Sequence, residues 1–340
     1  MPRNAAAAQR AKEKKEKKEL ELRIKTANEK CDEGRAFLEP EGKAAPQYTK
    51  AIACFDSAIG TYGEIAEPFA FRASAYLEQK QPEQAIEDYT KALSLNPQSV
   101  MSLEGRAACY ELLQQWDKAI ADYSTITTIQ PENDHAYNMR GCCRLRKRPN
   151  GLKLKNADFA AVVDDFQTAL RLNENNFHAH ANLGKAFEDH QMYKKAIDEF
   201  SRALKLKDDY TYALFRRGCS AMSLVEERRR HREQESKQLA VEDEIAAEEA
   251  REKARQEERD LLKQAIADFT RVIGEEKEKE LTAVIYRGSC FQMAHEYSKA
   301  EEDFLFAKKA VTNPELAPAV RALTEVLEIK LAALHSEMGK

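Results

Sequence analysis

A pattern that returns every 34 residues constrains this chain more than its composition does. Arg72-Ala73, Arg106-Ala107 and Arg140-Gly141 each join an arginine to a small residue, at two successive steps of 34. A second pattern alternates with it: an aromatic, Ala or Val three residues on, an aromatic four later, and usually a small residue three after that. It reads Tyr48, Ala51, Phe55, Ala58 in the first copy and Trp116, Ala119, Tyr123 in the third. Phe159, Val162, Phe166, Ala169, then Tyr193, Ala196, Phe200, Ala203, and Tyr297, Ala300, Phe304, Ala307 repeat it. Two variants, Pro82, Ala85, Tyr89, Ala92 and Leu262, Ala265, Phe269, Val272, make seven copies. Spacings of three and four place these residues on one helix face, and the small ones sit where two helix backbones approach closely. The first pattern thus predicts a helix A and the second an antiparallel helix B. Asn96-Pro97, Gln130-Pro131 and Asn313-Pro314 end helix B, since Pro cannot continue a helix. Only 12 Gly and 10 Pro, beside 33% charged residues, favour helix nearly throughout.

A 34-residue helix-turn-helix repeat with these residues resembles the tetratricopeptide (TPR) family over roughly residues 25–315. The resemblance implies an all-α, right-handed superhelical solenoid of about seven helix pairs, in which helix A lines a concave groove that receives an extended or helical peptide. Residues 316–340, with Val320, Leu323, Leu327, Leu331 and Leu334 on one face, are expected as a C-terminal capping helix. Residues 1–24 are expected as a basic arm, partly helical or disordered.

One TPR subfamily holds the C-terminal carboxylate of a chaperone tail, using Lys and Asn on one helix A, Asn on the next, and Lys and Arg on the third. In the best window of this chain Asn182 and Arg216 fit, while Asn138 and Tyr212 stand where Lys is required and Cys142 where Asn is. Two matches of five do not make that clamp, so a co-chaperone adaptor is the second reading. His178, Asn182, Lys185, Tyr212 and Arg216 remain the most donor-rich section of the groove and the expected peptide contact.

An acid precedes the second aromatic of every helix B after the first: Asp88, Asp122, Asp165, Glu199, Asp268 and Asp303. Arginine recurs in helix A at 72, 106, 140, 217 and 287, with Leu183 the exception. Matched periodic charges predict salt bridges between helices A and B that set the register of the repeats. Cys109, Cys143 and Cys290 follow the small position of helix A, where a cysteine serves as a small hydrophobe. The seven cysteines form no C-x-x-C pair, and reduced thiols are expected.

Two insertions break the period. The step from Ala119 to Val162 is 43, and the extra residues (insert 145–156) fall in a basic stretch, 144–155, that carries Arg144, Arg146, Lys147, Arg148, Lys153 and Lys155 without an acid. That loop is read either as a contact for an anion or acidic peptide, or as a solubilising loop paired with neighbouring acids. The step from Ala196 to Ala265 is 69, and no Gly or Pro occurs from Cys219 to Ile273. A protruding helical hairpin over 225–260 is expected, with weakly packed arms and a tip within 236–243. Its cluster Arg228, Arg229, Arg230 and Arg232 is read as a solvated face or as a grip on an acidic surface.

Function follows by exclusion and by charge. Phosphate loops, dinucleotide fingerprints, nucleophile elbows and H-E-x-x-H are missing, and His178 and His180 diverge on a helix, so no catalysis, cofactor or metal is expected. No apolar run approaches the roughly 18 residues of a membrane span. The net charge is −4, yet residues 1–30 hold ten Lys/Arg against five Glu. The expectation is a cytoplasmic, non-catalytic scaffold that docks in a larger assembly through acidic protein segments. A microtubule or axonemal structure is one version, since acidic tubulin tails suit basic segments, with a cytoskeletal or ciliary location. An RNA-associated assembly factor is the third reading.

Overall fold

The structure, a computed structural model, describes residues 2–39, 45–148, 156–236, 244–274, 281–311 and 323–339, without the side chains of 2–8, 10, 11, 235, 236, 244–247 and 324. Among these residues there are fifteen helices and no strand. Two compact units divide the chain. Residues 1–172 hold α1 (Pro2–Leu38), α2 (Tyr48–Thr61), α3 (Ala66–Glu78), α4 (Pro82–Leu95), α5 (Val100–Leu112), α6 (Trp116–Ile129), α7 (Asp134–Arg146) and α8 (Asn156–Leu172). Residues 173–340 hold α9 (Phe177–Asp189), α10 (Tyr193–Leu206), α11 (Thr211–Ser236), α12 (Glu244–Ile273), α13 (Leu281–Met293), α14 (Tyr297–Val311) and α15 (Leu323–Glu337). Within each unit every helix packs on the next, so odd-numbered helices are A, even-numbered helices are B, and α15 covers α14. No break falls at residue 24, because α1 runs unbroken from the basic segment into the first helix pair.

The second aromatic of each helix B forms the core. Phe55, Phe166, Phe200, Phe269 and Phe304 are fully buried, and Tyr89 and Tyr123 nearly so. Each such side chain contributes about 1.5–3 kcal/mol by leaving water. The small position of helix A faces that ring. A Cβ built on Gly141 or Gly184 would stand 2.8 or 2.9 Å from a carbon of Phe166 or Phe200. Gly34 meets Phe55 in the same way, which identifies α1 as helix A of the first copy. Where the small residue is Ala73 or Ala107, the ring is a tyrosine.

The periodic charges meet inside this frame. Arg72 donates through Nε and Nη2 to Asp88 at 2.7 Å each, and Arg106 to Asp122 at 2.9 and 2.7 Å. Arg217 holds Asp268 at 2.8 and 2.7 Å, and Arg287 holds Asp303 at 2.8 and 2.6 Å. Arg140 reaches Asp165 at 3.1 and 2.7 Å. The remaining nitrogen, Nη1, crosses to the preceding helix B, on Asp56, Thr90, Thr127, Ser201 and Thr270 in turn. Each arginine therefore ties one helix A to two helices B. Partners lie 16 residues apart in ordinary copies, 25 in the fourth and 51 in the sixth, so the excesses are the two period breaks. The insertions are absorbed wholly between A and B. Burial pushes the Asp165 and Asp268 carboxyls up, while the guanidinium bonds oppose it. In the fifth copy Leu183 replaces the arginine, and Glu199 instead takes His180 Nδ1 at 2.7 Å and Arg202 Nη1 at 2.6 Å.

Ordinary copies close their A–B turn with a left-handed residue: Lys80, Gln114, Gln191 and His295, at φ 60°, 55°, 61° and 61°. The next residue donates its N–H five residues back, as Gln81 does to Tyr76 O at 2.9 Å and Gln115 to Tyr110 O at 2.8 Å. A side chain at positive φ costs about 1–2 kcal/mol that glycine does not.

Two outcomes follow from this packing. Arg106→Leu or Asp122→Asn alone should lower unfolding free energy by about 3–5 kcal/mol, each leaving a charge uncompensated, and the double variant by clearly less than the sum. Urea titrations measure all three, and additive losses would refute the pairing. Lys80→Gly, Gln114→Gly and Gln191→Gly should each stabilise by about 0.5–1 kcal/mol in thermal melts, and their effects should add.

Candidate functional site

Asn176 caps α9 by accepting from Ala179 N at 3.0 Å, and the helix then presents His178, Asn182 and Lys185 along one face. Tyr212 and Arg216 stand on α11, and Tyr286 on α13 follows. Tyr212 and Tyr286 are 39% and 38% exposed, so apolar ring surface is available here. The donors are not free. Lys185 is ion-paired with Asp189 one turn on, and Arg216 reaches across from α11 to Glu188. Burial pushes the Glu188 carboxyl up and the Lys185 ammonium down, and it raises the Tyr212 hydroxyl to about 12. Glu188 and Asp189, each one turn from Lys185 in the sequence, thus take up the donors of this section.

At the starts of α9 and α11 the rings cluster. Phe177 lies 4.0 Å from His178 and 5.1 Å, edge-on, from Tyr210, and Tyr210 lies 5.9 Å from Tyr212. The Tyr210 hydroxyl stands 3.4 Å from His178 Nδ1. Asn182 is half-buried beside this group. The section thus offers aromatic faces and self-compensated charge, which suits an extended peptide more than a bare carboxylate.

The basic segments are also paired within the chain. Arg144 donates to Ala161 O at 3.2 Å and Asp165 Oδ2 at 2.5 Å, Arg146 meets Glu111 at 3.4 Å, and Lys147 meets Asp117 at 2.5 Å. Arg148 is half-buried, and Lys153 and Lys155 lie outside the described residues. Across the hairpin, Arg228 pairs with Glu257 at 3.0 Å, while Arg229, at 3.3 Å, and Arg232 share Glu258. Glu258 is 4% exposed, and Arg229 also donates to Met293 O at 2.9 Å, which fastens the base to the end of α13. The arms expected to pack weakly are joined by these charges just beyond the buried Val225 and Leu262 at their base. Arg230 donates to Glu226 O at 3.4 Å and lines a small polar pocket with Gln191, Tyr193, Glu227, His231 and Gln234. Of the expected tip, Ser236 ends α11 and residues 237–243 lie outside those described.

Comparison with known proteins agrees with this geometry. A tetratricopeptide repeat protein from Parabacteroides merdae is 16% identical and covers 89% of this chain and 99% of its own, with a TM-score of 0.56. Models of the tetratricopeptide repeat match residues 66–99 and 152–211. This chain is a tetratricopeptide-repeat protein.

Two further solved structures cover less of the TPR protein. MamA (41-end) from Desulfovibrio magneticus is 16% identical, covers 54% of this chain and 97% of its own, and has a TM-score of 0.48. Pseudomonas aeruginosa pilF is 16% identical over 59% and 86% of the two chains, with a TM-score of 0.48. No curated protein matches the sequence. Among the described residues of the TPR protein there is no group of three or more His, Cys, Asp or Glu able to hold a metal ion, and no helix long and apolar enough to cross a membrane.

All seven cysteines are free thiols; Cys31, Cys109, Cys143 and Cys290 are buried and the others half-buried. Burial raises Cys31 and Cys109 to about 11, and Cys142 and Cys219 to about 12, despite the nearby Arg146 and Arg216. They fill space between helices. In the folded TPR protein Cys142 and Cys219 should react with a disulfide reagent at pH 8 roughly a thousandfold more slowly than a free thiol. Denaturant should release all seven, and fast labelling of either thiol in the native state would contradict this.

Proposed function

We propose that this TPR protein is a non-catalytic scaffold that holds other proteins within a larger assembly. Two surfaces serve it: the helix A face of α9, α11 and α13, which receives a peptide, and the basic half of α1, which docks on an acidic surface. The observation that carries this reading is the contrast in charge. The described basic groups of the loop after α7, and Arg228, Arg229 and Arg232 on the hairpin, are taken up by acids or backbone of the chain itself, whereas residues 12–23 of α1 stand exposed. An assembly with acidic surfaces, such as a microtubule-based or axonemal one, fits that arm. Chaperone-tail binding ranks lower, because Arg216 already compensates Glu188 and lysines are missing from the clamp positions. RNA binding ranks third, since its steep salt dependence requires many uncommitted cations.

Microtubule co-sedimentation of the intact protein and of a variant lacking residues 2–22 tests the docking element. The intact protein should pellet at low salt, and the shortened one should bind at least about tenfold more weakly. Failure of the intact protein to pellet would remove the cytoskeletal version. Tight binding of a chaperone C-terminal peptide, lost in Arg216→Ala, would reverse the order of the readings.

A further inference from the structure

α1 is far longer than the helix it packs on. Its 37 residues extend roughly 55 Å, against about 21 Å for the 14 of α2. The two part where Arg23 donates to Thr61 O, the last residue of α2, at 3.0 and 2.9 Å. Residues before Arg23 continue past that end without a companion helix. Every residue from Lys12 to Arg23 is exposed, including Leu20 at 41% and Leu22 at 64%. Lys12 meets Glu16 at 3.8 Å, while Lys14, Lys15, Lys17 and Lys18 make no ion pair among the described residues. Most helical stability in proteins comes from packing an apolar face, which this part of α1 lacks, so a surface that receives it would stabilise it.

A complementary surface lies in the same chain. Residues 62–135, which hold α3 to α6, carry twelve Asp/Glu against five Lys/Arg, a net charge of −7. Glu67 and Glu78 share one face of α3, and Met101, Glu104 and Leu112 share one face of the neighbouring α5. Both are helix A faces. Met101 and Leu112 are 46% and 62% exposed, so carboxylates alternate with uncovered apolar side chains there. That mixture suits a helix bearing many lysines and a few leucines. The arm cannot fold back on it within one molecule, because α1 is continuous and leads away past the end of α2.

We propose that the basic half of α1 docks on the helix A faces of α3 and α5 in a second copy of this chain. The proposal rests on the reading of α1 as the docking element and names its partner. Lysines of the arm face Glu67, Glu78 and Glu104, and Leu22, which shares the helix face of Lys15 and Lys18, meets Met101 and Leu112.

Sedimentation velocity on the full chain tests this at about 0.05 M and about 0.5 M salt. Association should appear at the lower salt and weaken roughly tenfold or more at the higher. Reversing the arm (Lys14→Glu, Lys15→Glu, Lys17→Glu, Lys18→Glu) should give a monomer, as should reversing the face (Glu67→Lys, Glu78→Lys, Glu104→Lys). An equimolar mixture of the two variants should associate again, since acidic arm then meets basic face and basic arm meets acidic face. All these side chains are at least partly exposed, and circular dichroism checks that both variants fold. A monomer under every condition overturns the proposal, as does association that both reversals leave unchanged. A monomer that still pellets with microtubules overturns the second-copy partner and leaves the docking role of α1 standing.

Discussion

A half-buried guanidinium on a buried carboxylate, shared between two helices, holds the repeats of this protein in register. Buried ion pairs add little net stability compared with apolar packing, but they punish any arrangement that leaves one charge alone. The planar arginine fork has one acceptable placement, with two nitrogens on the acid of its own repeat and the third on a hydroxyl or carboxylate of the repeat before. Burial of the phenylalanines drives the helices together, and the arginine selects the alignment in which they do so. Where Leu183 stands in place of the arginine, Gln167 stands in place of the hydroxyl or carboxylate, and the boundary between the two compact units falls between these positions.

Much of the fold was legible because it is periodic. Seven copies of the helix B pattern, five with an aromatic pair at helical spacing and two opened by Pro82 or Leu262, have acids and arginines in fixed places beside them, and these contain the helix pairs and the pairing of their charges. The second acceptor of each arginine was not legible, since Thr90, Thr127 and Ser201 look like ordinary surface residues until two repeats are stacked. Gly34 was missed for a related reason. No arginine precedes it, and only its distance to Phe55 shows its place.

The candidate site was less legible because charge compensation is a three-dimensional matter. Lys185 and Arg216 read as donors from their groove positions, while Glu188 and Asp189, in the same stretch of sequence, decide what those donors have left to offer. The arginine cluster of the hairpin behaves alike, since its partners Glu257 and Glu258 are about 29 residues away on the returning arm. Counting basic residues along the chain therefore overstates how many can meet a partner. The surplus of α1, by contrast, stands in the open.

The left-handed turn between helices A and B has a consequence for how such a chain can grow. The arginine fork and the ring facing a small residue fix the pair from within, so the turn is asked only to reconnect two ends that are already positioned. Lengthening a flexible connection costs about 0.6 kcal/mol for each doubling, little beside the contacts that hold the pair. The fourth and sixth copies carry their additional residues at this place and keep the same fork. The positions of Lys80, Gln114, Gln191 and His295 are thus grafting points, where a foreign segment would ride outside the stack as a side branch while the repeats beneath it kept their spacing.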